Sequence, residues 1–333
     1  MKWLLLHLPI PPSTHPSIPP STHPSTHPPT INTLAIQLSP PVAEGRILDF
    51  YGDLKDLRDG SIRVLHSLSF VDDPTRILRA IRFERRLDFT IEPRTMQLID
   101  TALPMLRRLT GKRITNEIDL LLRENEPEYA LLNLRERGVL TAIHPAFVID
   151  ERIKAYFAAA RQQTPPWPAE PVDISHLYWH ILAGFIPPDD LDEWCERLML
   201  GRKMLDSLQD VAGIKQDIPW LRQPELRPSQ IVSHLETYSE IALYTIWLIT
   251  AAAMIQQRIE TYMREWRYVE PTINGHTLRA RGLKPGPCYG VILRKLRYAW
   301  LDGLVSDQAA EQQLLDKLVA QEEGCHDITG SQN

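Results

Sequence analysis

The chain has 333 residues, 43% of them hydrophobic and 24% charged, with a formal net charge of −5. That length exceeds one ordinary core and points to two or three domains of a soluble globular protein. The acidic balance excludes bulk charge as a means of holding a polyanion, and no run is long and apolar enough to span a bilayer.

Cys195, Cys288 and Cys325 are scattered and odd in number, so neither a disulfide framework nor a zinc quartet follows. A reducing cytoplasm is the expected location. The opening MKWLLLHLPIPP is too short, and too interrupted by His7 and Pro9, for a secretory signal. Nine of the 28 prolines lie in the first 30 residues, where PSTH occurs at Pro12–His15, Pro20–His23 and Pro24–His27. Residues 1–29 therefore read as a low-complexity tail, disordered or extended, rather than as a histidine metal site.

The character changes at Thr30. TINTLAIQLS and GRILDF alternate as strands, DLKDLRDG reads as a short helix or turn, and SIRVLH as another strand. From Asp73 onward the periodicity is helical. It predicts helices over 74–87, 92–108, 115–124, 127–137, 149–163, 174–184, 191–200, 202–214, 230–235, 238–265, 274–281, 290–302 and 307–323. PPWP, PPDD, QPELRP and KPGP mark turns between them. The pattern is a mainly α protein with a small β-containing entry.

Residues 70–86, FVDDPTRILRAIRFERR, raise a question of charge. Asp73 suits a helix N-cap, accepting from the free amide near Arg76, and Pro74 suits the first helical position. Ile77, Leu78 and Ile81 are expected in the core. Arg76, Arg79, Arg82 and Arg86 recur at spacings of three and four and share a face. Four like charges in one stripe repel, which raises the expectation of an anionic partner. From Leu54 to Arg123 there are 14 Lys/Arg against 10 Asp/Glu, a basic stretch in an acidic chain.

At FVDDPTRILRAIRFERRLDFTIEPRT the sequence resembles the bacterial class II tRNA nucleotidyltransferase and poly(A) polymerase family, which includes CCA-adding and A-adding enzymes. INTLAI at 31–36 resembles the end of the family's RRDFTINALA segment, and LDFYGDLKDL at 48–57 its DxxGGxxDL segment. VDDPTRILRAIRF resembles EDPxRxLRAxRF, the nucleotide-reading helix. GKRITNEIDLLL at 111–122 resembles the ERxxxEL segment, and INGHTLRARGLKPGPCYGVILRKL at 273–296 resembles GxDLxxxGLxPGPxxGxIL. The match runs from about 31 to 305 in the family's order. Three positions depart from it: Asp53 and Asp88 stand at glycine positions, and Asp72 where glutamate is usual. The family's Gly-rich segment, strand D-x-D and RRD have no counterpart in this sequence.

The resemblance implies a multi-helical neck, body and tail, with a β-containing remnant of a nucleotidyltransferase head over 30–69. The neck would be 70–125, the body 126–265 and an RNA-binding tail 266–333. It implies ATP and CTP as substrates, Mg²⁺ as cofactor, and tRNA or another RNA 3′ end as partner. With no metal-binding D-x-D on a strand, the chain is expected to be inactive alone, to take a head in trans, or to be a module of a longer enzyme; a non-catalytic RNA-binding protein is the alternative.

The resemblance nominates Asp73 and Arg76 to read the base, with Asp72 and Arg79 beside them. Cytosine and adenine both present an amine donor next to a ring-nitrogen acceptor, which a carboxylate and a guanidinium can match together. Uracil and guanine invert both groups. From DPTR alone, Asp73 as a plain cap and Arg76 as a partner of some nearby carboxylate would be preferred.

Arg113 and Glu117, at i and i+4, are expected to pair within their helix and brace the neck. Asn32, Asp49 and Asp56 lie in the head remnant near the family's active site. Arg279, Arg281, Lys284, Arg294, Lys295 and Arg297 are candidates for RNA backbone contacts, or else a solvated face. The only D-x-D, Asp190-Leu191-Asp192, opens a helical pattern and reads as dipole-favoured acids rather than metal ligands. His176 and His180 lack a third ligand and are expected to pack beside Trp179.

Overall fold

The computed structural model describes residues 34–36, 47–169 and 171–321. The tail over 1–29, Asn32 and most of the first expected strand lie outside these residues. The described chain is mainly α, as the periodicity predicts, and its strands are only two residues long. β1 (Ala35–Ile36) pairs antiparallel with β2 (Ile47–Leu48), and β3 (Ser61–Ile62) pairs parallel with β4 (Thr90–Ile91). β4 was not expected. It forms because the turn after the arginine-rich helix returns the chain to β3, where Thr90 N–H donates to the Gly60 carbonyl at 2.8 Å.

The chain divides into two units: residues up to Arg161 with Ile174–Leu205, and Gln162–Asp173 with 206 onward. The first holds α1 (Asp53–Asp59), α2 (Ser69–Asp72), α3 (Thr75–Leu87), α4 (Pro93–Ala102), α5 (Gly111–Leu122), α6 (Pro127–Glu136) and α7 (Val139–Ile143). It also contains nearly all of α8 (Arg152–Gln162), then α9 (Ile174–Ala183), α10 (Leu191–Arg197) and the start of α11 (Arg202–Leu221). α3 packs on both α5 and α6. Ile77, Leu78, Ala80 and Ile81 are fully buried, the apolar face that periodicity assigned to the core. Around Trp194, Phe147 meets its ring edge-on at 5.3 Å and Trp179 at 5.8 Å. Of the two histidines expected to pack beside Trp179, His180 is buried and His176 is exposed.

α3 ends at Asp88, which has φ 54 and ψ 44 and donates its N–H to the Glu84 carbonyl. Glycine is usual there in the family motif, and the left-handed backbone gives the reason. An aspartate can hold it, at a cost of order 1 kcal/mol.

The second unit holds the rest of α11, then α12 (Pro228–Leu235), α13 (Glu240–Ile249), α14 (Ala253–Arg264), α15 (Gly275–Ala280), α16 (Pro287–Leu301) and α17 (Gln308–Gln321). Leu278, Ile292, Leu296 and Leu315, all fully buried, join the last three helices. α11 continues past the expected end at 214, because its polar stretch is anchored: Asp217 takes His234 Nε2 at 2.6 Å and the Tyr238 hydroxyl. The helix expected over 238–265 is two. Thr250 turns extended at φ −81, ψ 136, and Gln256 Nε2 donates to the Trp247 carbonyl at 2.9 Å, satisfying one of the carbonyls left at the end of α13. No Gly or Pro marks that break. Among the described cysteines, Cys195 is a buried free thiol. No helix among the described residues is long and apolar enough to cross a membrane.

Candidate functional site

The site is built where α3 begins beneath the first turn of α5. Asp73 lies between α2 and α3, and its Oδ1 accepts from Thr75 N at 3.1 Å and Thr75 Oγ at 2.6 Å. It is thus a cap, with Thr75 rather than the amide near Arg76 as donor. The same oxygen takes Arg113 Nη2 from α5 at 2.7 Å. The other oxygen, Oδ2, accepts no hydrogen bond among the described residues and faces Arg76 Nε at 3.9 Å. Arg76 is only 3% exposed, and its Nη1 donates to the Ser69 carbonyl at 3.3 Å. Burial pulls its pKa down and Asp73 pulls it back up, while Arg79 lowers it and Asp72 raises it. A guanidinium stays charged regardless. The nominated acid and arginine therefore share one environment, with Asp72 exposed beside them and Arg79 half-buried one turn on.

Arg113 and Glu117 do not form the expected intrahelical pair. Arg113 reaches across to Asp73, while Glu117 Oε2 lies 3.7 Å from Arg82 Nη2 on α3. The physical reason is the crossing of α3 and α5, which sets opposite charges on facing helices closer than those along one helix. The same crossing answers much of the arginine stripe: Glu124, beyond the end of α5, takes Arg82 at 3.0 Å and Arg86 at 3.7 Å. The repulsion that implied an external anion is largely balanced from within, except at Arg79, which has no carboxylate within 4 Å among the described residues.

Burial pushes the Glu117 carboxyl above its usual range, against the pull of Arg79 and Arg82; Asp73 adds to the rise and Arg113 opposes it. Folding then favours the protonated form. That stabilisation is complete below the unfolded pKa and is lost as pH rises through the folded one. Glu117→Gln should therefore raise stability at pH 7, with the gain vanishing by about pH 4. Urea unfolding midpoints at the two pH values check this; equal shifts at both would contradict it.

The other candidates separate. Asp49 caps α1 with both oxygens, accepting from Gly52 and Asp53 amides at 2.8 and 2.7 Å and from Leu54 at 3.2 Å. Burial raises its pKa, but the amides of Asp53, Leu54, Gly52 and Tyr51 outweigh it and hold the carboxyl below its usual range. Asp56 accepts from Arg63 Nε and Nη2 at 3.2 and 3.0 Å. Arg297 is drawn inward, donating to the Val269 carbonyl and to Glu236, both at 2.9 Å. Arg281 pairs with Asp316. Arg279, Lys284, Arg294 and Lys295 are exposed, as an RNA-facing surface would require.

Magnesium, implied by the resemblance, does not fit the carboxylates at hand. Asp49 spends both oxygens on amides, and Asp56 accepts from Arg63 through Oδ2. Asp190 and Asp192 straddle the start of α10, and among the described residues no group of three acids, histidines or cysteines converges on a cation. Sequence reasoning also passed over Arg85 and Arg123, which gather with Arg82 and Arg86 at the far end of α3. Their only signal was local density of arginine.

Residues 88–149 match the family model described as the probable RNA and SrmB-binding site of polymerase A. The chain is 32% identical over 301 residues to an A-adding tRNA nucleotidyltransferase of Geobacter sulfurreducens, covering 87% of this chain and 34% of that protein. Among solved structures it resembles the Thermotoga maritima CCA-adding enzyme complexed with tRNA, at 29% identity and a TM-score of 0.68, covering 89% of this chain and 72% of that one. A CCA-adding enzyme in complex with CTP gives 28% identity and a TM-score of 0.71, covering 90% and 71%. These relatives are A-adding and CCA-adding enzymes, so over most of its length the chain is similar to part of the class II tRNA nucleotidyltransferase and poly(A) polymerase family. It spans about a third of the length of the curated relatives it matches first.

Proposed function

We propose that this chain supplies the base-reading and RNA-holding part of an enzyme that adds A, C or both to RNA 3′ ends, tRNA foremost, in the cytoplasm. One observation carries this reading. Asp73 is fixed through Oδ1 by Thr75 and Arg113, while Oδ2 keeps its lone pairs beside the Arg76 guanidinium. A carboxylate oxygen next to a guanidinium complements the amine and ring nitrogen that adenine and cytosine share. Thr75 and Arg113 hold the acid without using the oxygen a base would need, so the template is pre-organised. Residues 70–125 act as the neck, 126–265 as the body and 266–333 as the tail, with 30–69 belonging to the head.

Metal-assisted attack of the RNA 3′ hydroxyl on the α-phosphate belongs to a head carrying its own carboxylates, in trans or in a longer polypeptide. The residues here select and orient the nucleotide and hold the RNA. The test mixes the chain with Mg²⁺, ATP and tRNA lacking its terminal adenosine. Binding of ATP and tRNA, with extension once a family head is added, supports the reading. Tight tRNA binding with no preference for ATP or CTP over GTP and UTP would favour a non-catalytic RNA-binding protein instead.

A further inference from the structure

At the opposite end of α3 from Asp73 lies a cavity of about 390 Å³. Its charged lining is Arg82, Arg85, Arg86 and Arg123 against Glu124 and Glu126. Four guanidinium groups thus face two carboxylates. Arg82 is 7% exposed, and although its Nη1 donates to Glu124, its buried Nε has no hydrogen-bond partner among the described residues. Glu124 also pairs with Arg86. Arg85 and Arg123 are exposed and have no carboxylate within ion-pair distance among the described residues. Arg85 is held in place instead by the Tyr129 ring, its Cζ 5.0 Å from the ring centroid.

We propose that this cavity binds a backbone phosphate of the RNA whose 3′ end is extended, a claim that rests on the reading given above. Planar guanidinium forks match phosphate oxygens two at a time, and Arg85 and Arg123 have that capacity to spare. The cavity is separate from the base-reading pair: Arg76 and Arg86 are ten residues apart on one helix, about 15 Å along its axis. Glu124 is the internal anion that a phosphate must compete with, so it tunes the affinity.

The experiment measures binding of labelled tRNA lacking its terminal adenosine to the full chain across a salt series. The double variant Arg85→Ala/Arg123→Ala should bind roughly tenfold more weakly at low salt and reduce the salt slope by about one. Glu124→Gln should bind several-fold more tightly. Both arginines are exposed, so folding is retained, and circular dichroism melts check it. Unchanged affinity and slope in the double variant, with preference for ATP over GTP intact, overturn this inference alone. Inorganic phosphate that binds the wild-type chain but not the double variant, with tRNA affinity the same in both, overturns the polynucleotide assignment. A wild-type chain that binds no RNA overturns both this inference and the proposed function.

Discussion

Asp73→Asn should lower the preference for ATP and CTP over GTP and UTP by about 1–3 kcal/mol, roughly tenfold to a hundredfold, the worth of one well-placed pair of base contacts. The argument is one of lone pairs. Thr75 and Arg113 donate to Oδ1, so they orient an asparagine with its oxygen there and its amide nitrogen at the Oδ2 position. That nitrogen points a donor at the base's amine and repels the neighbouring Arg76. The helix stays capped, since asparagine caps as well as aspartate. The variant therefore separates the two roles of Asp73, which alanine would confound by removing the cap and the carboxylate facing Arg76 together. Competition binding with the four nucleotides reads the result. Preference unchanged in a folded Asp73→Asn chain would remove Asp73 from base selection.

The largest loss of stability is expected at Gly111→Ala. Gly111 opens α5, and a Cβ there would lie 2.3 Å from the Arg197 carbonyl oxygen and 2.8 Å from the Leu198 carbonyl carbon. Neither can retreat easily. Arg197 donates to the carbonyls of Leu106, Leu109 and Ile143, and Thr115 Oγ donates to the Leu198 carbonyl at 2.5 Å. One methyl group thus forces apart the start of α5 and the end of α10, at a cost of about 3 kcal/mol. Because Arg113 follows two residues later, its bridge to Asp73 should loosen as well. Urea unfolding checks the stability, and a change below about 1 kcal/mol would show that the contact relaxes.

The candidate site was legible in the sequence to an uneven degree. DDPTR carried both the cap and the acid–arginine pair, because their spacing is local and one helical turn fixes it. Arg113 was legible as a neck residue through its resemblance to a family segment, yet its partner was not. The intrahelical spacing to Glu117 is the simplest guess from sequence, and the crossing of α3 and α5 supersedes it. Asp49 resembled an active-site acid, and its role as a cap for α1 depends on how the chain turns at Gly52, φ 84. Arg297 looked like one of six surface cations, and only the packing around α16 draws it onto the Val269 carbonyl.

What the sequence determined by itself was the family resemblance, the mainly helical body and the apolar face of α3. All of these follow from periodicity or ordered motifs, which act over a few residues at a time. The tertiary structure decided which charges meet. Glu124 reaches Arg82 across 42 positions of chain and Arg113 reaches Asp73 across 40, so those pairings exist only once the helices have packed. Hydrophobic patterning says which face of a helix goes inward; the angle at which two such faces cross decides where long, flexible charged side chains find their partners.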